Sequence, residues 1–344
     1  MAALRGGLVG CGFFSVNHLH GWHDANGADI VAICDSNPVR LTAVGDQFSI
    51  SNRYANAAIM MASEKLDFVD IATTMPTHRQ LVELAAAHGL PVICQKPFAT
   101  SLSDAKAMVA ACEVAGVPLM VHENFRWQSP IQQVWQVLQS GEIGVPFWGR
   151  VSFRSAYDVF SGQPYLAEGK RFIVEDLGIH ILDVARFLLG DVINVSARIN
   201  KINSRINGED VAAVLLDHGQ GVTSVVDCSY ASILENELFP QTLIELDGSH
   251  GSLRLGPNYQ LTVTGMLGTR HINVSPPVLP WATRPWHNIQ ESVARIQQHW
   301  VDCLTTSTVP QTSGQDNLQT LALVKAVYQS AQSGQTVDIQ TLLQ

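Results

Sequence analysis

The feature that most constrains this chain sits near its start. An apolar run ending in Leu8-Val9 passes directly into Gly10-Cys11-Gly12-Phe13-Phe14-Ser15, and helical spacing follows. This is a strand, a glycine turn and a helix start, with the GxGxxG pattern carrying serine at its last position. Small residues there let the backbone approach a pyrophosphate at a helix N-terminus, where unpaired N–H groups and the helix dipole favour negative charge. A tight turn with no ligand would share the pattern, so context has to decide. Asp35 closes the second β-rich run at about the spacing where an acid binds ribose hydroxyls. A carboxylate there repels a 2′-phosphate, which favours NAD over NADP. Ser36, Asn37 and Arg40 pull the other way, since a hydroxyl and a guanidinium could hold that phosphate. The cofactor-binding set at this end is therefore Gly10, Gly12, Phe13, Phe14, Asp35, Ser36 and Arg40.

The rest of the first third keeps the same rhythm. Leu8 to Gly10, Ile30 to Cys34, Phe68 to Ala72, Val92 to Cys94 and Leu119 to His122 read as strands. Between them, Leu81 to His88 and Ser103 to Ala115 carry apolar residues at helical spacing, which predicts a parallel sheet with crossover helices. A helix over Ile131 to Gln139, ended by Ser140 and Gly141, reads as the join, because longer strands follow Val145. These are Val151 to Ser155, Val195 to Ile202, Val211 to Leu216, Val222 to Tyr230, Thr242 to Asp247, Ser252 to Leu255 and Tyr259 to Thr264. Short turns separate most of them, which predicts a mostly antiparallel sheet, interrupted by one helix over Glu175 to Leu189. Helices return at Ile289 to Leu304 and Leu318 to Ser330, after a proline-rich loop, Pro276 to Pro285, that carries Trp281. With 344 residues, two domains are expected. They are an α/β nucleotide-binding domain over residues 1–125 and an α+β domain over 126–344, whose C-terminal helices are free to pack back on the first.

Composition excludes several function classes. Lys and Arg number 21 against 30 Asp and Glu, and no dense basic patch appears, so nucleic acid is not an expected partner. No apolar run reaches the roughly 18 residues of a membrane span. Leu4 to Gly12 already reads as strand and turn, so no secretory leader is expected and the protein is placed in the cytoplasm. Cys11, Cys34, Cys94, Cys112, Cys228 and Cys303 are scattered with no CxxC pair, which suggests buried, reduced thiols rather than a disulfide frame or a zinc site.

The chemistry concentrates in two places. Cys94-Gln95-Lys96-Pro97 sets a lysine just beyond a strand of the parallel sheet, at the edge where such sheets bind ligands, although a lone lysine is also what a solvated surface carries. Asp176, His180 and Asp183 fall within about 60° of one another on a regular helix, a polar stripe on an apolar element. Two carboxylates beside an imidazole suit a general base; a core histidine satisfied by neighbouring acids is the plainer alternative. The run His18-Leu19-His20-Gly21-Trp22-His23 invites a metal, but His18 and His20 diverge by about 200°, and no metal is expected. His122, Glu123, Asn124, Arg126 and Trp127 end a strand at the same edge as Lys96 and are expected to approach the ligand. Arg154, Tyr157, Arg171, Trp281 and Trp286 could bind a polyhydroxylated substrate, or serve as surface or core.

Taken together, the chain resembles the Gfo/Idh/MocA oxidoreductases along nearly its full length. The likeness rests on Gly10 and Gly12, Asp35, the segment Thr73-Thr74-Met75-Pro76-Thr77-His78, Lys96-Pro97, Asn124 with Arg126, and Asp176 to His180. It implies a Rossmann domain followed by an open, mostly antiparallel sheet that forms homodimers or homotetramers. It implies that Lys96 hydrogen-bonds the reacting hydroxyl, His180 is the acid/base and Asp176 holds substrate. Thr73, Thr74, His78, Gln95 and Asn124 then join the cofactor contacts, and Arg126, Trp127, Arg154 and Tyr157 the substrate contacts. The family's Glu-Lys-Pro is Gln95-Lys96-Pro97 here, and its Thr-Pro turn is shifted to Thr73-Thr74-Met75-Pro76. Within the family, Thr73 to His78 and Glu123 to Gln128 look most like the D-apiose dehydrogenases. The implied reaction is NAD-dependent oxidation of a sugar or polyol hydroxyl, with an aldose such as D-apiose oxidised at its anomeric carbon to lactone or aldonate. An NAD-dependent glycoside hydrolase working by transient ring oxidation, an inositol-type dehydrogenase and a non-catalytic ligand sensor are the alternatives.

Overall fold

The computed structural model describes residues 3–344, which divide into two compact units. The first comprises residues 3–124 and 290–318, the second 125–289 and 319–344.

In the first unit, β1 (Leu4–Val9), β2 (Ala28–Cys34), β3 (Asn52–Tyr54), β4 (Phe68–Ile71), β5 (Val92–Gln95) and β6 (Leu119–His122) form one parallel sheet in the order β3-β2-β1-β4-β5-β6. The order reverses between β1 and β4, the switch point at which the carboxyl ends of such strands open a crevice. The connecting helices are α1 (Ser15–Asp24), α2 (Pro38–Gln47), α3 (Ala57–Ser63), α4 (His78–Ala87) and α5 (Leu102–Ala115). Their starts and stops have local causes. Asn37 and Asn56 cap α2 and α3 through side-chain oxygens, Ser101 caps α5, and Gly116 in the left-handed region ends it. Leu8, Ile33, Val69, Ile93 and Val121 are fully buried between the helical layers, the expected burial of a sheet covered on both faces. The short edge strand β3 escapes sequence pattern because Asn52-Arg53-Tyr54 has no apolar alternation.

In the second unit, α6 (Ser129–Gln139) leads into β7 (Pro146–Arg154), a short α7 (Tyr165–Glu168) and α8 (Ile179–Leu189). Then come β8 (Asn194–Asn200), β9 (Val211–Gly219), β10 (Val222–Ser229), β11 (Leu243–Gly248), β12 (Gly251–Gly256), β13 (Gln260–Gly265) and β14 (Gly268–Asn273). Near the C-terminus lie α9 (His287–Thr306), α10 (Gly314–Ser333), β15 (Val337–Asp338) and α11 (Gln340–Leu343). By the division above, α9 belongs to the first unit from Gln290 onward, and α10 as far as Leu318. The nine strands order as β14-β13-β12-β11-β7-β10-β9-β8-β15. All neighbours are antiparallel except β7 and β10, whose parallel pairing follows from the long connection through α8 that separates them.

Candidate active site

The glycine turn is built as its sequence requires. Gly10 has φ +104°, and a Cβ on it would lie 2.8 Å from the carbonyl oxygen of Ala72, so both conformation and space demand glycine. A Cβ on Gly12 would meet nothing within 4 Å, so the outer side of the loop is open. Ser15, at the position of the third glycine, turns its hydroxyl inward to donate to the Gly12 carbonyl at 2.6 Å. No side chain caps the N-terminus of α1. Free N–H groups behind an open, glycine-lined turn fit a diphosphate. Cys11 within this turn is no nucleophile, because burial and then the Asp35 charge push its thiol up to about 12.

Asp35 follows β2, and its two oxygens accept the backbone N–H groups of Cys11 and Asn37, each at 2.7 Å. The carboxylate is thereby held beside the glycine turn while keeping lone pairs for ribose hydroxyls. Phe13, Ser36 and Arg40 are exposed around it, and Phe14 is half-buried.

Beyond β4, Thr73 is half-buried and Thr74 exposed, and the Thr77 hydroxyl donates to Thr73 Oγ1 at 2.7 Å. His78 is fully buried, with its ring nitrogens 3.1 Å from the Thr73 carbonyl and 3.2 Å from that of Phe98. It therefore joins the loop after β4 to the one after β5, which carries Lys96. Burial lowers the His78 pKa, although the carbonyls of Thr73, Phe98 and Pro97 favour its imidazolium. The Gln95 side chain is buried and turned inward, accepting the Lys96 N–H at 2.6 Å and facing His18. Asn124, after β6, is buried and donates to the Ser292 hydroxyl at 2.7 Å. Gly10, Thr73, Lys96 and Asn124 thus all stand at the carboxyl ends of neighbouring strands.

The second unit contributes α8. The residues before it, Val174–Gly178, form a π-helical turn, so the regular 100° spacing used for the polar stripe fails between Asp176 and His180. The stripe itself is revised. Asp183 is fully buried and goes to Arg126, whose Nε donates to it at 2.8 Å in a two-pronged ion pair, and Thr320 donates at 2.9 Å. Arg126, expected at the substrate, is buried beside the helix instead and supports it. His180 is buried and lies flat on the ring of Phe125, centroids 4.0 Å apart and planes 4° from parallel. Phe125 drew no attention in sequence because a lone aromatic after a strand carries no signal. Glu209 is a second such residue: it accepts the backbone N–H groups of Phe172 and Val174 and the hydroxyl of Tyr328, fixing the start of the π turn.

The remaining expected substrate contacts scatter over this unit. Trp127 is buried. Arg154 is exposed and donates to Asp227 at 3.1 Å. Tyr157 is half-buried, stacked on Phe239 at 4.1 Å with Trp286 edge-on, so these three rings form one cluster. Arg171 sits over the Tyr328 ring at 4.3 Å. Among the described residues no group of three or more His, Cys, Asp or Glu is placed to hold a metal ion.

A reversing parallel sheet with this glycine turn and acid, followed by an open mixed sheet, defines a class. Residues 4–123 match the model described as an oxidoreductase family with an NAD-binding Rossmann fold, and residues 131–254 match the GFO/IDH/MocA C-terminal domain. The chain belongs to the Gfo/Idh/MocA family of NAD-binding oxidoreductases. Among particular relatives, the D-apiose dehydrogenase of Rhizobium rhizogenes is 62% identical over 343 residues, covering 100% of this chain and 99% of that protein. The D-apiose dehydrogenase of Paraburkholderia graminis is 62% identical over 338 residues, covering 98% and 90%. The crystal structure of an oxidoreductase from Agrobacterium radiobacter in complex with NAD+, L-tartaric acid and magnesium matches with a TM-score of 0.98 at 62% identity, over 99% of each chain.

Proposed function

We propose that this protein is an NAD-dependent D-apiose dehydrogenase that oxidises the anomeric carbon of the sugar to a lactone. The observation that carries this reading is 62% identity held over 343 residues to a D-apiose dehydrogenase. The placement of Asp35, which disfavours a 2′-phosphate, supports NAD as partner.

NAD, when bound, supplies the hydride acceptor. Gly10, Gly12 and the start of α1 hold its diphosphate, Asp35 the adenosine ribose, and Thr73, Thr74 and Asn124 line the edge beyond. His180 takes the hydroxyl proton, its ring kept in one plane by Phe125. Lys96 steadies negative charge developing on the same oxygen. Asp176 binds a sugar hydroxyl, with Arg154 and Tyr157 as further contacts. The enzyme works in the cytoplasm as a homodimer or homotetramer joined through the nine-stranded sheet, which light scattering of the purified protein tests directly.

The deciding assay follows NADH formation with D-apiose, D-xylose, inositols and aryl glycosides, with NAD and NADP in parallel. D-Apiose with NAD is expected to lead by at least about tenfold in kcat/KM, a difference of about 1.4 kcal/mol. Faster turnover of an inositol, or aglycone release without NADH, overturns it. Lys96→Ala should lower kcat by at least about a hundredfold while NADH affinity, read by fluorescence, stays within about twofold. Retained turnover removes Lys96 from the chemistry.

A further inference from the structure

We propose that a buried, one-way hydrogen-bonded chain from Asp70 through His18 to Gln95 positions the Lys96 turn. The inference rests on the reading of Lys96 given above. All its members lie in the first unit.

Asp70 sits in the middle of β4, between Leu8 of β1 and Ile93 of β5, and is fully buried. Its strand is otherwise Phe68, Val69 and Ile71, so a carboxylate here is out of place unless donors meet it. Two do. Trp22 Nε1 donates to Asp70 Oδ2 at 2.6 Å, and His18 Nδ1 lies 2.7 Å from the same oxygen. On the other side of the imidazole, Gln95 Nε2 is 3.0 Å from His18 Nε2, and Gln95 Oε1 is 2.6 Å from the Lys96 backbone nitrogen.

The direction of every bond follows from one of them. A backbone N–H can only donate, so Gln95 must present its oxygen to Lys96 and its NH2 group to His18. His18 Nε2 must then be the bare acceptor, which puts the single ring proton on Nδ1, facing Asp70. Each of these bonds is then made with a single ring proton on His18, while Asp70 Oδ1 has no hydrogen-bond partner among the described residues. His122 stacks on His18 at 4.1 Å, Phe14 meets it edge-on at 5.5 Å, and Gln297 donates to its backbone carbonyl at 3.2 Å. Cys94, also near the Asp70 charge, is held as a thiol by burial.

Two consequences follow. Because His18 belongs to α1, the chain ties the helix that starts at the glycine turn to the turn that carries Lys96. Gln95 also matters as an amide. An acid at this position would set a carboxylate against the bare His18 Nε2, and one further proton would have to enter for the bond to form. The lysine turn would then loosen whenever that proton left.

The test combines kinetics with 15N NMR of histidine-labelled protein, His18 being assigned by its loss in His18→Gln. In the wild-type protein the His18 ring should carry its proton on Nδ1, with Nε2 as the acceptor. Gln95→Met should lower kcat by about tenfold to a hundredfold, the effect of misplacing a reacting group by about 1 Å, with NADH affinity within about twofold. Gln95→Glu should give a kcat that falls as pH rises, and a proton shared with His18 at low pH. A wild-type His18 protonated on Nε2, or a wild-type kcat and pH profile in both Gln95 variants, overturns the proposal. Because the tautomer is read without turnover, these failures stay separate from loss of the Lys96 reading, which activity in Lys96→Ala alone would bring.

Discussion

Single residues in this protein are held by constraints of different kinds, and substitution separates them. Gly10 answers to backbone: its φ of +104° and the Ala72 carbonyl 2.8 Å from any Cβ leave no relaxed place for alanine. Gly10→Ala should destabilise by about 1–3 kcal/mol in urea unfolding and weaken NADH binding at least about tenfold, since the turn itself must shift. Arg126 answers to charge. Its partner Asp183 is fully buried, so Arg126→Ala leaves that carboxylate only Arg186 at 4.0 Å and the Thr320 hydroxyl, and should cost up to about 3 kcal/mol. A residue that served substrate alone would instead raise KM and leave the urea midpoint in place.

At the scale of elements, the π turn over Val174–Gly178 decides how Asp176 and His180 are presented. Such turns are wider than α-helical ones and persist where something pins them. Here the pin is Glu209, which gathers two backbone N–H groups and the Tyr328 hydroxyl. Burial, then the Glu209 charge, raises the Tyr328 pKa, so this hydroxyl stays a donor. Tyr328→Phe removes a hydrogen bond to a charged group and should lower stability by about 1.5–3 kcal/mol. Hydrogen exchange should show faster opening of the amides of Phe172, Val174 and Asp176, with the strands of the first sheet unchanged.

For the molecule as a whole, pH acts through histidines whose pKa folding lowers. Burial lowers the pKa of His78 in the first unit and of His218 in the second, in each case against carbonyls that favour the cation. A lowered folded-state pKa means the unfolded chain takes up protons first. The stability these residues contribute is therefore complete above the ordinary value of 6.5 and is lost as pH falls below it toward the folded values. Urea unfolding should show a shrinking free energy on stepping down from pH 6.5, and His218→Gln should flatten part of that slope. An unchanged slope in the variant removes His218 from the account.

The strand ends that carry the candidate site were legible one residue at a time, because the signals are local. Gly10, Asp35 and Lys96 lie at the ends of short apolar runs, and strand-end position alone places them at the ligand edge of a parallel sheet. The two sheets were readable for the same reason, since periodicity is written along the chain. What local pattern could not reach was partnership across the chain. Asp70 lies inside an otherwise apolar strand, and nothing in the sequence says that His18 and Trp22 answer it. Arg126 and Asp183 looked like two site residues until burial made them one ion pair. The π turn misled the helical spacing because it adds a residue without changing the composition. By itself the sequence determined the order of elements, the glycine turn and the polar residues available at strand ends. Tertiary structure alone decided which of those residues face inward and which polar groups satisfy one another. Hydrogen bonds and ion pairs between distant positions depend on distances of a few ångström that no linear spacing encodes.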